Sequence, residues 1–134
     1  MPGILKISEA ASLGLHAMMI LARDPEAMVS AGELSRSLHA SEATLAKVLQ
    51  RLGKVGLVKS TRGPRGGFLL GKPPREINFL EIYEAIEGPL PPAGCLLPQP
   101  VCPGGKCIFG NLVKNLHDQL AKHLAKTTLA SLKE

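Results

Sequence analysis

The pentapeptide Gly63-Pro64-Arg65-Gly66-Gly67 constrains the path of this chain more than any other segment. Glycines flanking a proline are a strong signal for a tight reversal of the backbone. Leu57-Val58-Lys59-Ser60-Thr61 just before it has strand character, and Phe68-Leu69-Leu70 after it can return as the partner strand. The segment reads as a β-hairpin with Arg62 and Arg65 at its tip.

The hairpin follows two short helices. Ser30-Ala31-Gly32-Glu33 is a capping box that opens a helix ending near Leu38. His39-Ala40 makes a tight connection, and Ser41 caps a second helix ended by Gly56. Leu45, Val48, Leu49 and Leu52 recur on that helix at helical spacing and form one core face. Lys47, Gln50, Arg51 and Lys54 fall largely elsewhere. Two short helices, a tight turn and a basic exposed face read as a helix-turn-helix. With the hairpin directly after it, the motif is a winged helix-turn-helix.

Other elements supply the core and the tail. A first helix is expected from just after Ser8 to near Asp24, before Pro25. Its Leu13, Leu15, Ala17, Met18, Ile20 and Leu21 cover most of the circumference, so it is buried on several sides. Asn78 caps a further helix with Glu81 at the box position, and Gly88 ends it. A Pro/Gly-rich stretch runs to Lys106. A last helix is expected from about Cys107 or Ile108 almost to the end, with Ile108, Leu112, Leu116, Leu120 and Leu124 at four-residue spacing. Such a helix exceeds what a small domain covers alone and suits dimerisation. At 134 residues the chain has room for one core. The expected fold is mainly α with a small β-hairpin wing: a DNA-binding domain over 1–88, a cysteine-containing sensor loop over 89–107 and a dimerisation helix over 108–134.

Charge is distributed unevenly. From Lys47 to Arg75 the chain carries Lys47, Arg51, Lys54, Lys59, Arg62, Arg65, Lys72 and Arg75 without one Asp or Glu. That stretch holds half of the 16 basic residues and none of the 11 acidic ones, so it carries +8 against −3 for the rest of the chain, and with it the whole positive excess. An ordinary solvated face does not explain the missing acids. A phosphate-facing surface does, because a carboxylate there repels a nucleic-acid backbone. With no Trp, one Tyr and three Phe, the chain has little material for a single-strand stacking platform. Double-stranded DNA is therefore the expected partner.

The three cysteines, Cys95, Cys102 and Cys107, have C-x6-C-x4-C spacing. No signal-type segment and no apolar run of membrane length is evident, so a cytoplasmic location is expected, where thiols stay reduced. Three thiolates are soft ligands suited to an iron–sulfur cluster or to zinc, and a pair of them can form a redox disulfide. Zinc asks for a fourth nitrogen or sulfur ligand, and there is no CxxC pair. Gly94, Gly104 and Gly105 let the backbone approach a cluster closely, and Cys107 at a helix start gains thiolate character. No catalytic triad, paired-carboxylate site or phosphate loop is evident; Gly63 to Gly67 lacks the Lys-Ser/Thr of a P-loop. An enzyme with a small-molecule substrate is not expected.

The run from Leu57 to Leu70 resembles the wing signature of the IscR/NsrR-type (Rrf) family of bacterial winged-helix transcription regulators. The resemblance extends from Leu15-His16-Ala17-Met18-Met19-Ile20-Leu21-Ala22 through Glu81-Ile82-Tyr83-Glu84-Ala85-Ile86-Glu87-Gly88 to the cysteine loop and the last helix. It implies a homodimer on a promoter operator, with the helix from Ser41 to Lys54 in the major groove and the wing in or beside the minor groove. Many members hold a 2Fe-2S or 4Fe-4S cluster and sense redox state, nitric oxide or cluster supply; others have no cofactor and respond through thiol oxidation or a partner protein. Ser41, Thr44 and Lys47 are expected to reach bases or phosphates, Lys54 and Lys59 phosphates, and Arg62 and Arg65 the minor groove, with Arg51 a further DNA-binding candidate.

The resemblance places Cys95, Cys102 and Cys107 as cluster ligands. The His that some relatives carry three residues after the last cysteine is here Gly110. Others take the fourth ligand from the first helix of the partner subunit. His16 occupies one such position, and Ser12 stands where an acidic ligand would be. Ala46 replaces a recognition-helix glutamate of some relatives, so their operator sequence does not carry over.

Overall fold

Four helices begin where a short polar side chain takes over a backbone N–H that the helix leaves unpaired. The computed structural model describes residues 7–90, 101–102 and 107–132. Ser8 Oγ accepts from the Ala11 N–H at 3.0 Å and starts α1 (Glu9–Arg23). Ser30 accepts from Glu33 at 3.1 Å and starts α2 (Ala31–Leu38). Ser41 accepts from Thr44 at 3.1 Å and starts α3 (Glu42–Lys54). Asn78 Oδ1 accepts from Glu81 at 2.8 Å and starts α4 (Phe79–Glu87).

α1 buries Ala11, Gly14, Ala17, Met18, Leu21 and Ala22 against the other helices. α3 buries the expected stripe of Leu45, Val48, Leu49 and Leu52. Small residues bring α1 and α4 close: a Cβ on Gly14 would lie 2.0 Å from Ile86 Cδ1. The turn between α2 and α3 needs a left-handed residue, and His39 supplies it at φ 53. Glycine adopts that conformation without a Cβ penalty. His39→Gly is therefore expected to stabilise the fold by up to ~1 kcal/mol, read as a rise in thermal midpoint; a fall would show that the imidazole contributes more than its backbone costs.

The hairpin consists of β1 (Val58–Thr61) and β2 (Gly67–Leu70), antiparallel with Val58 opposite Leu70 and Thr61 opposite Gly67. Its tip is a turn in which the Gly66 N–H donates to the Gly63 carbonyl at 2.9 Å, with Pro64 between them. Two such short strands are marginal alone. Here Val29, just ahead of α2, pairs with Phe68 through N–H to O bonds of 3.1 and 2.8 Å and ties the wing to the helix-turn-helix. Close backbone approach explains two glycines: a Cβ on Gly66 would meet the Thr61 carbonyl oxygen at 2.0 Å, and one on Gly67 the Val29 oxygen at 2.8 Å.

The carboxy-terminal part departs from expectation at both ends of its helix. α5 runs over Leu112–Lys126, later than Cys107 or Ile108. Gly110 at φ 60 makes a left-handed turn there, with its N–H on the Cys107 carbonyl at 2.9 Å. At the other end Thr127 is extended and the chain returns to the core. Thr128 pairs with Asn78, the Phe79 N–H donates to the Thr127 carbonyl at 2.9 Å, and the Leu129 N–H donates to the Ile77 carbonyl at 3.0 Å. A 3-10 turn over Leu129–Leu132 then buries Leu129 completely. The four-residue leucine repeat is consequently graded: Leu124 is buried, while Leu112 is 52% exposed and Ile108, ahead of the helix, 79%.

Candidate nucleic-acid interface

At 3.6 residues per turn, the buried stripe of α3 leaves Ala43, Lys47, Gln50 and Lys54 on the opposite side, and all four are exposed. Gln50 was placed off the core face in the sequence but not as a contact, and Ala43 was not singled out; the period of the core residues contains that signal. Ser41 and Thr44 sit at the start of the same helix, where the Ser41 hydroxyl donates to Thr44 Oγ1 at 2.8 Å. That bond leaves the Thr44 hydroxyl hydrogen available to an outside acceptor. On the wing, Lys59, Arg62 and Arg65 are exposed. Among the described residues, Lys47, Lys54, Lys59, Arg62 and Arg65 have neither an ion pair nor a hydrogen bond. Lys72 differs, lying 3.4 Å from Glu81. Arg51 differs too: its Nη1 donates to the Ile86 carbonyl at the end of α4, at 2.7 Å.

Five exposed cations without partners on one helix and its neighbouring hairpin form a surface that attracts polyanions. A carboxylate partner would have neutralised them.

The cysteine positions are partly described. Cys95 lies outside the described residues. Cys102 and Cys107 carry free thiols and are half-buried. The Phe109 N–H donates to Cys107 Sγ at 3.4 Å, and Cys107 lies five residues ahead of α5, not at a helix start as expected. His16 is exposed on α1, and its Nδ1 lies 2.7 Å from the Ser12 carbonyl oxygen. A carbonyl only accepts, so Nδ1 carries the proton and Nε2 presents its lone pair in the neutral ring. On α4, the Tyr83 phenol is held above its ordinary range, by burial first and by the Glu87 carboxylate second.

A helix-turn-helix whose outward face and wing bear unpaired cations defines a winged-helix DNA-binding protein. The chain belongs to the Rrf2 family: the family model, described as an iron-dependent transcriptional regulator, matches residues 7–134. It is 32% identical over 130 residues to the HTH-type transcriptional regulator IscR of Escherichia coli, covering 96% of this chain and 80% of IscR. Its fold matches CymR (YrzC), the global cysteine regulator of B. subtilis, at a TM-score of 0.78 and 32% identity, covering 96% of this chain and 95% of CymR. It matches IscR of T. potens at a TM-score of 0.73 and 29% identity, covering 96% and 85%. The protein is thus a DNA-binding transcription regulator and not an enzyme. No helix among the described residues is long and apolar enough to cross a membrane.

Proposed function

We propose that this regulator acts in the cytoplasm as a homodimer on an operator, and that an iron–sulfur cluster on Cys95, Cys102 and Cys107 reports redox state, nitric oxide or cluster supply. The observation that carries the DNA reading is the set of unpaired exposed cations on α3 and the wing. Lys47 and Lys54 meet phosphates or bases from the major groove, with Ser41 and Thr44 at the helix start. Lys59 lies against the backbone, and Arg62 and Arg65 enter the narrow minor groove. Exposed apolar side chains support the dimer: Ile108 and Phe109 (46% exposed) just ahead of α5 and Leu112 at its start are a surface that a second copy covers.

The donor set fits a cluster. Three soft thiolates suit iron and sulfide, and Cys102 and Cys107 carry free, half-buried thiols. His16 completes the set from across the dimer. Its ring is fixed by the Ser12 carbonyl, the arrangement that orients a ligating imidazole. When bound, the cluster supplies a centre whose oxidation or loss changes the charge and shape of the loop. The protein's part is to hold three thiolates on one segment and to transmit that change to the reading heads.

Protein purified without oxygen is expected to show charge-transfer absorption, iron and acid-labile sulfide, all lost in Cys107→Ser. Protein free of iron and sulfide under those conditions sinks the cluster. The match to CymR, described as a cysteine regulator, favours a second reading in which the loop senses without a cofactor, by thiol oxidation or a partner protein. A reversible disulfide among the three cysteines, found by mass spectrometry in metal-free protein, supports that alternative.

A further inference from the structure

The last turn of α4 is joined to three other parts of the chain, directly before the cysteine loop begins. Arg51 Nη1 reaches it from α3, donating to the Ile86 carbonyl oxygen at 2.7 Å across 35 residues of sequence. Ser8, the cap of α1, donates its hydroxyl to Glu87 Oε1. The Leu90 N–H donates to Glu84 Oε2 at 3.4 Å. Gly88 at φ 85 ends the helix between these contacts. The Ile86 carbonyl belongs to the final turn, where a helix leaves its oxygens unpaired and carries partial negative charge. A guanidinium is suited to that end, being planar, permanently charged and pre-organised. Arg51 also differs from Lys47 and Lys54 on its own helix: all three are exposed, but the two lysines have no partner among the described residues and Arg51 is joined to another element.

We propose that Arg51 is a positioning residue that conveys the state of the cysteine loop to the reading helix, and is not a phosphate contact. The proposal rests on the reading of that loop as the sensor. A loop rearrangement that shifts Gly88 moves the Ile86 carbonyl two residues away. The Arg51 bond then carries the shift into α3, where Lys47 and Lys54 lie four and three residues from Arg51 on the neighbouring surface. One element with two positions, biased from both ends, is what coupling between two sites requires.

The test uses full-length protein and a duplex selected by the wild type from a random pool. Affinity is measured for the free-thiol protein and after alkylation of its cysteines with iodoacetamide, over a range of salt. In the wild type the two forms are expected to differ at least ~5-fold, within the range of ordinary allosteric coupling. In Arg51→Met that ratio is expected to fall to within about twofold of one, while the slope of log affinity against log salt stays unchanged, since no phosphate contact is lost. Arg51→Lys keeps the charge with a different reach; it is expected to at least halve the ratio and keeps the test available if the methionine variant folds poorly.

A salt slope reduced by about 0.9 per protomer with the ratio intact identifies a phosphate contact and overturns the proposal. Slope and ratio both unchanged leave Arg51 a packing residue and overturn it equally. If the wild type itself shows no difference between the two forms, the sensor reading fails first and the proposal with it.

Discussion

Replacing Arg62 and Arg65 together by alanine is expected to reduce operator affinity by nearly ~10³-fold at physiological salt without changing the stability of the fold. The magnitude follows from counterion release. Each neutralised phosphate contributes a slope of about 0.9 in log affinity against log salt, roughly fivefold at 0.15 M. The proposed dimer would bring four such arginines to the DNA, so the slope is expected to fall by about 3.6. Stability should hold because both side chains are exposed and make no hydrogen bond or ion pair among the described residues. Salt titration of binding, with thermal melting of the free protein, separates the two effects. An unchanged slope removes the wing tip from the interface.

The second large effect concerns stability. Leu129→Ala is expected to cost about 3 kcal/mol, since a fully buried leucine is cut back to a methyl and the surroundings relax only in part. For a domain of this size that corresponds to a fall of about 10 °C in thermal midpoint. Leu132, 43% exposed on the same turn, is the control; its alanine variant is expected to stay within about 0.5 kcal/mol of the wild type. The difference arises from the return of the tail. Leu129 is drawn inward by backbone bonds from Phe79 to Thr127 and from Leu129 to Ile77, on the segment that links the wing to α4. Equal melting of the two variants would place Leu129 outside the core.

The winged helix was legible because its signals are local. Ser8, Ser30, Ser41 and Asn78 cap helices at the positions their side chains predict. The Leu45, Val48, Leu49 and Leu52 stripe faces inward, as its spacing requires. The Gly63–Gly67 turn forms because proline and glycine restrict the backbone before any tertiary contact exists. The limits of the last helix were harder to read. Leucines at four-residue spacing suggest continuous helix from Ile108 onward, yet one left-handed glycine and the pairing of Thr128 with Asn78 shorten it at each end. Gly110 carries a weak local signal. The pairing at Asn78 is a contact between residues 50 apart in sequence, and such contacts leave no trace in periodicity.

For the candidate site the division is similar. Composition along the chain located the cations, because an acid-free run is visible in one dimension. Which cations remain available was decided by packing: Arg51 and Lys54 are alike in the sequence, yet one donates to the end of α4 and the other makes no bond among the described residues. By itself the sequence determined the capped helices, the wing turn, the basic stretch and the three-cysteine spacing, each a consequence of short-range backbone preference or residue chemistry. Only the tertiary structure decided that Val29 anchors the wing, that the tail re-enters the core at Leu129 and that Arg51 of α3 is bonded to the last turn of α4. Those three depend on the docking of distant segments, which is set by the fit of whole surfaces.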